Sequence, residues 1–174
     1  MSIPATGRIV PTATGQEIVI ERTFKAPIGD VWASIVEPDR MNRWIGTWTG
    51  EPGNGKRVMF TMTSEEGAKP EEALIHRCEA PRHLDVESFS QGTSWRMVLD
   101  LTEVDGVTTL VFSQSVDAED EGASSYGPGW EYYIDRLGAV LDGTAFADWD
   151  EYYPAQVPHW EAEMQHAVAA RTGG

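Results

Sequence analysis

The spacing of apolar and polar positions changes along this chain, and each change marks an element. Ile18-Val19-Ile20-Glu21-Arg22-Thr23-Phe24 is β-branched and partly alternating, which predicts a strand. Ala26-Pro27 ends it, because proline lacks the ladder donor and fixes φ. The period then turns helical. Ile28, Val31, Trp32 and Ile35 fall at i, i+3, i+4 and i+7. Pro38 closes that helix and opens a second short one, Pro38–Trp44, with Met41, Trp44 and Ile45 apolar.

Alternation returns at Val58, Phe60 and Met62, set against Met59, Thr61 and Thr63. A polar loop, Glu65–Glu72, separates this strand from Ala73–Cys78 and Leu84–Phe89. Trp95, Met97, Leu99 and Leu101 form one face of a further strand, with Arg96, Val98 and Asp100 on the other. Asp105-Gly106 is a hairpin signal that joins Trp95–Leu101 to Thr108–Gln114. Asp117–Gly127, acidic and rich in Gly and Ser, is expected to be a flexible crossing loop. After Gly127-Pro128-Gly129, the residues Trp130, Tyr133, Ile134, Leu137 and Leu141 make one helical stripe. Glu131, Asp135 and Arg136 lie mostly off it, and Gly143 is a C-cap.

Sequential strands with short turns form an antiparallel meander, and such a sheet has one face to bury. The stripe from Trp130 to Leu141 is the long apolar surface available to cover it. The expectation is therefore an α+β fold. A curved antiparallel sheet of about six to seven strands wraps around a long C-terminal helix, with two short helices after the first strand. Residues 1–16 form an extended lead-in, 17–143 the sheet-and-helix domain, and 144–174 an aromatic, acidic extension with a last helix near Val157–Ala170. That extension packs on the domain or on a partner subunit.

Composition narrows the function. The net charge of −15 disfavours nucleic acid and anionic membrane surfaces as partners. No apolar run approaches the roughly 20 residues a membrane span needs, and the N-terminal stretch has no signal-peptide core. The single Cys78 has no disulfide partner within the chain, which fits a reducing cytoplasm. A homodimer is compatible with this composition.

Three segments carry a family resemblance. Glu21-Arg22-Thr23-Phe24-Lys25-Ala26-Pro27-Ile28-Gly29-Asp30-Val31-Trp32 resembles the opening motif of the SRPBCC superfamily, which is START-like and birch-pollen-allergen-like. Glu37-Pro38-Asp39-Arg40-Met41-Asn42-Arg43-Trp44 is similar to the following motif in its subfamily of activators of the 90-kDa heat-shock protein ATPase. Gly129-Trp130-Glu131-Tyr132-Tyr133-Ile134-Asp135-Arg136-Leu137 is similar to that subfamily's long helix. The resemblance spans roughly Gly7–Gly143 and has no counterpart for Thr144–Gly174. It implies a helix-grip fold with an internal hydrophobic cavity. The residues themselves carry no phosphate-cradling glycine loop and no dinucleotide fingerprint, and no cofactor is expected. The superfamily includes lipid carriers, polyketide cyclases and hydrolases. The chaperone activator itself carries an additional N-terminal domain with no counterpart in these 174 residues.

The candidate cavity wall is Phe60, Met62, Ile75, Val86, Trp95, Met97 and Phe112 from the sheet. Trp44 and Trp48 join from the segment after the short helices, and Trp130, Tyr133, Ile134 and Leu137 from the long helix. A small hydrophobic molecule would fit such a wall, although the same pattern describes a packed core. A cyclase- or hydrolase-type enzyme would need an inward ionisable group. Arg22, His76, Arg77, Glu87 and Arg96 are the candidates, and charged residues usually face water. A chaperone-associated stress-response module is the third reading and requires an exposed apolar patch. His159, Glu163 and His166 share one helical face, but without a further ligand they read as a solvated tail helix and no metal site is assigned. Cys78 reads as a structural thiol, and Gly53-Asn54-Gly55-Lys56 as a hairpin-type turn.

Overall fold

A computed structural model describes residues 2–120 and 122–173. Eight antiparallel strands form one open sheet in the order β1-β2-β8-β7-β6-β5-β4-β3. They are β1 (Arg8–Pro11), β2 (Gln16–Phe24), β3 (Thr47–Thr49), β4 (Arg57–Thr61), β5 (Glu71–Glu79), β6 (His83–Ser90), β7 (Thr93–Val104) and β8 (Val107–Val116). Helices α1 (Ile28–Val36) and α2 (Pro38–Met41) follow β2, α3 (Ala123–Asp142) follows the sheet, and α4 (Val157–Thr172) ends the chain. This is the expected α+β helix-grip fold, with more strands than the sequence pattern indicated.

Two strands were not indicated by the sequence pattern: the short edge strand β3, and β1, inside the lead-in expected to be merely extended. Arg8 to Pro11 pair with Val19 to Gln16 across a turn in which the Thr12 amide donates to the Gly15 carbonyl. A proline ends this edge strand, where a missing N–H costs no ladder bond. The Asp105-Gly106 turn is as expected. Both residues have positive φ, 51° and 77°, which suits the two-residue hairpin between β7 and β8.

Register divides the sheet into two faces. Ile18, Phe112, Leu99, Leu84 and Ile75 lie on the inner face with Met97, Val86 and Val58, and most of these are buried. Charged residues alternate onto the outer face. Arg96 donates to both Asp85 carboxylate oxygens at 2.9 and 2.7 Å, and His76 Nε2 lies 2.7 Å from Glu87. The Arg96 guanidinium holds the Asp85 carboxyl below its ordinary pKa. Cys78 is half-buried against the core, and burial pushes its thiol up.

The long helix starts earlier than expected. Ala123 to Gly127 belong to α3, so the crossing loop is shorter and Pro128 lies inside the helix; Glu121 lies outside the described residues. An interior proline usually costs a helix about 3 kcal/mol. Tertiary packing offsets that cost: Trp160 of α4, fully buried, lies so close over Gly127 that an added Cβ would come within 2.2 Å of its indole. The other end follows the sequence, with Gly143 as a left-handed cap.

The extension packs on the body of its own chain. The Trp160 ring also covers Gly7, where an added Cβ would lie 2.3 Å away. His159 Nε2 lies 2.7 Å from the Gly7 carbonyl, and Glu163 accepts the Ile9 amide at 3.2 Å. Of the face expected to be solvated, His159 and Glu163 therefore dock α4 on the N-terminal segment, while His166 stays exposed.

Candidate functional site

Trp48, Phe60, Glu71 and Ser90 occupy one cross-strand row on the inner face of β3 to β6. The next rows bring Val58, Ala73, Ser88 and Trp95, then Ile75, Val86, Met97 and Gln114. Opposite them stands α3. Tyr126, Trp130, Tyr133 and Leu137 fall at i, i+4, i+7 and i+11, so one helical stripe faces the sheet. The Trp130 ring meets Phe112 at 4.5 Å between centroids, and Tyr126 meets Trp95 at 4.6 Å.

The thirteen expected wall residues separate by burial. Trp44, Trp48, Ile75, Phe112, Tyr133, Ile134 and Leu137 are buried in the core. Phe60, Met62, Val86, Met97 and Trp130 are half-buried against it, and Trp95 is half-buried beside Tyr126. Buried and half-buried residues thus share the same rows, and the half-buried ones present partly open aromatic and thioether side chains.

Polar groups punctuate this wall. Trp44 donates its indole N–H to the Ser34 carbonyl at 2.8 Å. Trp130 donates to the buried Gln114 side chain. Tyr133 donates to Glu65 at 3.0 Å, and Arg136 to the Trp44 carbonyl at 2.8 Å and Ser64 at 3.2 Å. These bonds tie the β4–β5 loop to α3. Ser90 donates to Glu71 at 2.6 Å. The Trp48 indole N–H is buried without a partner.

Two of these groups were missed by sequence reasoning for identifiable reasons. Gln114 continues the Leu110, Phe112 alternation of β8, which marks it as inward despite its polarity. Tyr126 joins the α3 stripe only once the helix is carried through Gly127-Pro128-Gly129.

The ionisable candidates also separate. His76, Glu87 and Arg96 lie on the outer face, as does exposed Arg77, which pairs with Glu79. Arg22 is the exception, placed inward by the Ile18, Ile20, Phe24 alternation of β2. Its guanidinium pairs with Glu131, which is fully buried, and with Asp135 at 2.9 Å. Glu131 also accepts the Thr6 and Gly7 amides at 2.8 Å, and Asp135 accepts the Tyr152 hydroxyl at 2.8 Å. Burial opposes the Arg22 charge, yet Asp135 and Glu131 hold its pKa above the ordinary value. Every strong donor of this cluster is engaged within the protein, which makes it a fastening between lead-in, β2, α3 and extension. Two shallow depressions flank it, lined by Ile3, Arg22, Thr23 and Asp135.

Burial, reinforced by Asp135 and Glu65 respectively, pushes the Tyr152 and Tyr133 hydroxyls well above the ordinary value near 10. A raised folded-state pKa gives stability that is complete below the unfolded value and lost as pH rises through the folded one. Unfolding titrations are therefore expected to show stability falling above pH ~10. Tyr152→Phe should flatten part of that fall, and an unchanged slope would contradict the buried placement.

Among the described residues no group of three or more His, Cys, Asp or Glu side chains is arranged to hold a metal ion. No described helix is long and apolar enough to cross a membrane.

Similarity to known proteins agrees with this geometry. CalU16 from Micromonospora echinospora superposes with a TM-score of 0.76 at 22% identity, covering 92% of this chain and 98% of that one. EF2215 from Enterococcus faecalis, described as a conserved protein of unknown function, gives 0.70 at 16% identity over 93% and 92%. DynU16, a putative protein in the dynemicin biosynthetic locus, gives 0.65 at 18% identity over 72% of this chain and 47% of that one. No curated protein matches the chain. At these identities the structures establish the helix-grip fold. The family model described as "Activator of Hsp90 ATPase homolog 1-like protein" matches residues 25–142, and the chain belongs to that family, within the SRPBCC superfamily.

Proposed function

We propose that this protein binds a small hydrophobic or aromatic molecule between the inner face of the sheet and α3. The observation that carries the reading is the half-burial of Phe60, Met62, Val86, Trp95, Met97 and Trp130 on the surface the fold uses as its core. Large apolar groups left partly open there retain surface that a ligand would remove from water, at roughly 25 cal/mol per Å². The superfamily's fold supports the same reading, and one structural neighbour comes from a biosynthetic locus. In this role the protein presents or shields its ligand, and α3 and the β4–β5 loop form the rim.

Native mass spectrometry of the purified protein, followed by organic extraction, tests the proposal. A bound small molecule is expected, and its occupancy should fall when Met97→Trp fills the inner face. Equal occupancy in that variant, with its fold retained, would place the ligand elsewhere.

A further inference from the structure

The polar groups of the inner face specify more than apolarity. The Trp48 indole N–H is the relevant one. Trp48 is 5% exposed, and its N–H is buried with no acceptor. The strand register puts Trp48 opposite Phe60 and in the row of Glu71 and Ser90, beside the half-open residues of the proposed site. Leaving a buried donor unpaired typically costs about 1–3 kcal/mol, so it requires an explanation. Trp160, the other buried indole with no partner, has a packing explanation: its ring is pressed between Gly7 and Gly127. Trp48 differs from Trp44 and Trp130, which each have an acceptor.

Charge on the same face is equally informative. Strands β3 to β8 place no Lys or Arg on the inner face. Arg57 and Arg96 alternate outward, where they pair with Glu72 and Asp85, and Arg77 points out with Glu79. Arg22, the inward cation of β2, is matched by Glu131 and Asp135. The carboxylate in the row of Trp48 and Phe60 is Glu71. The rim cation, Arg136 of α3, is committed to the Trp44 carbonyl and Ser64, so a carboxylate or phosphate entering here would lose its water and gain no free counter-charge.

We infer that the site takes a neutral ligand with an acceptor oxygen, such as a ketone or amide carbonyl, that receives the Trp48 N–H, and that it rejects fatty-acid-like or phosphorylated molecules. This rests on the ligand-binding reading above and names the ligand class for it.

Three probes of one shape test the inference: fluorene, 9-fluorenone and fluorene-9-carboxylate, titrated calorimetrically into wild type and Trp48→Phe. The ketone is expected to lose about three- to tenfold affinity in the variant, the size of one hydrogen bond. Fluorene should be unchanged within about twofold, because it has no acceptor to lose. The carboxylate should bind more weakly than the ketone. In wild-type NMR spectra, the Trp48 indole proton should move downfield with the ketone and not with fluorene, which decides the matter even if the variant fails to fold. Equal losses for ketone and hydrocarbon, or equal indole shifts, would overturn the inference while leaving the ligand-binding reading intact. Tighter binding of the carboxylate would overturn the charge argument. No binding by any of the three would remove both the inference and the ligand-binding reading.

Discussion

Replacing Glu131 with alanine is expected to cost about 3–5 kcal/mol of folding stability, the usual result of breaking a buried ion pair from one side. The carboxylate is fully buried and serves three donors: the Arg22 guanidinium and the Thr6 and Gly7 amides. Its loss leaves two backbone amides without an acceptor and a mostly buried cation with Asp135 as its remaining carboxylate. Urea unfolding of single and double variants measures this. Glu131→Leu combined with Arg22→Met should cost less than the sum of the two single changes, because both charges then leave together. Additive costs would mean that the pair is not coupled in the folded protein.

Trp160→Ala is expected to destabilise by a similar amount, about 3–5 kcal/mol, as large aromatic deletions in a core do. The indole fills the space between Gly7 and Gly127, two positions where no side chain fits. Truncation leaves that space empty and loosens α4 from α3 and β1, including the Glu163 bond to the Ile9 amide. Thermal melting should show the loss. Hydrogen exchange should show where it falls, with faster exchange over 157–172 and 8–11 and little change in β6 and β7. Uniform acceleration across the sheet would mean that α4 belongs to the global folding unit. Gly127→Val should reproduce the effect from the opposite side, since its Cβ collides with the same ring.

These two sites also show where sequence reasoning reaches its limit. Amphipathic period identified α1, the α3 stripe and most strands, because burial of one face is written residue by residue. Register follows from the same alternation, which is why the outward placement of Arg96 and the inward placement of Met97 were both legible. The wall residues were likewise legible as a face. Which of them are filled in and which remain half-open was not, because that depends on how far α3 stands from each strand. The start of α3 was misplaced at Gly127-Pro128-Gly129 because local propensity reads as a break there. The gain that overrides it comes from Trp160, more than thirty residues later.

By itself the sequence determined the fold class, the family motifs between Glu21 and Leu137, the outward placement of most charges and the list of inner-face apolar residues. Only the tertiary structure decided three things: that Arg22 pairs with Glu131, that the extension caps its own chain, and that the Trp48 N–H is left without an acceptor. The physical reason is common to all three. Each depends on a partner distant in sequence, or on the lack of one, and pairing across such distances is set by packing geometry rather than by the period of any one segment.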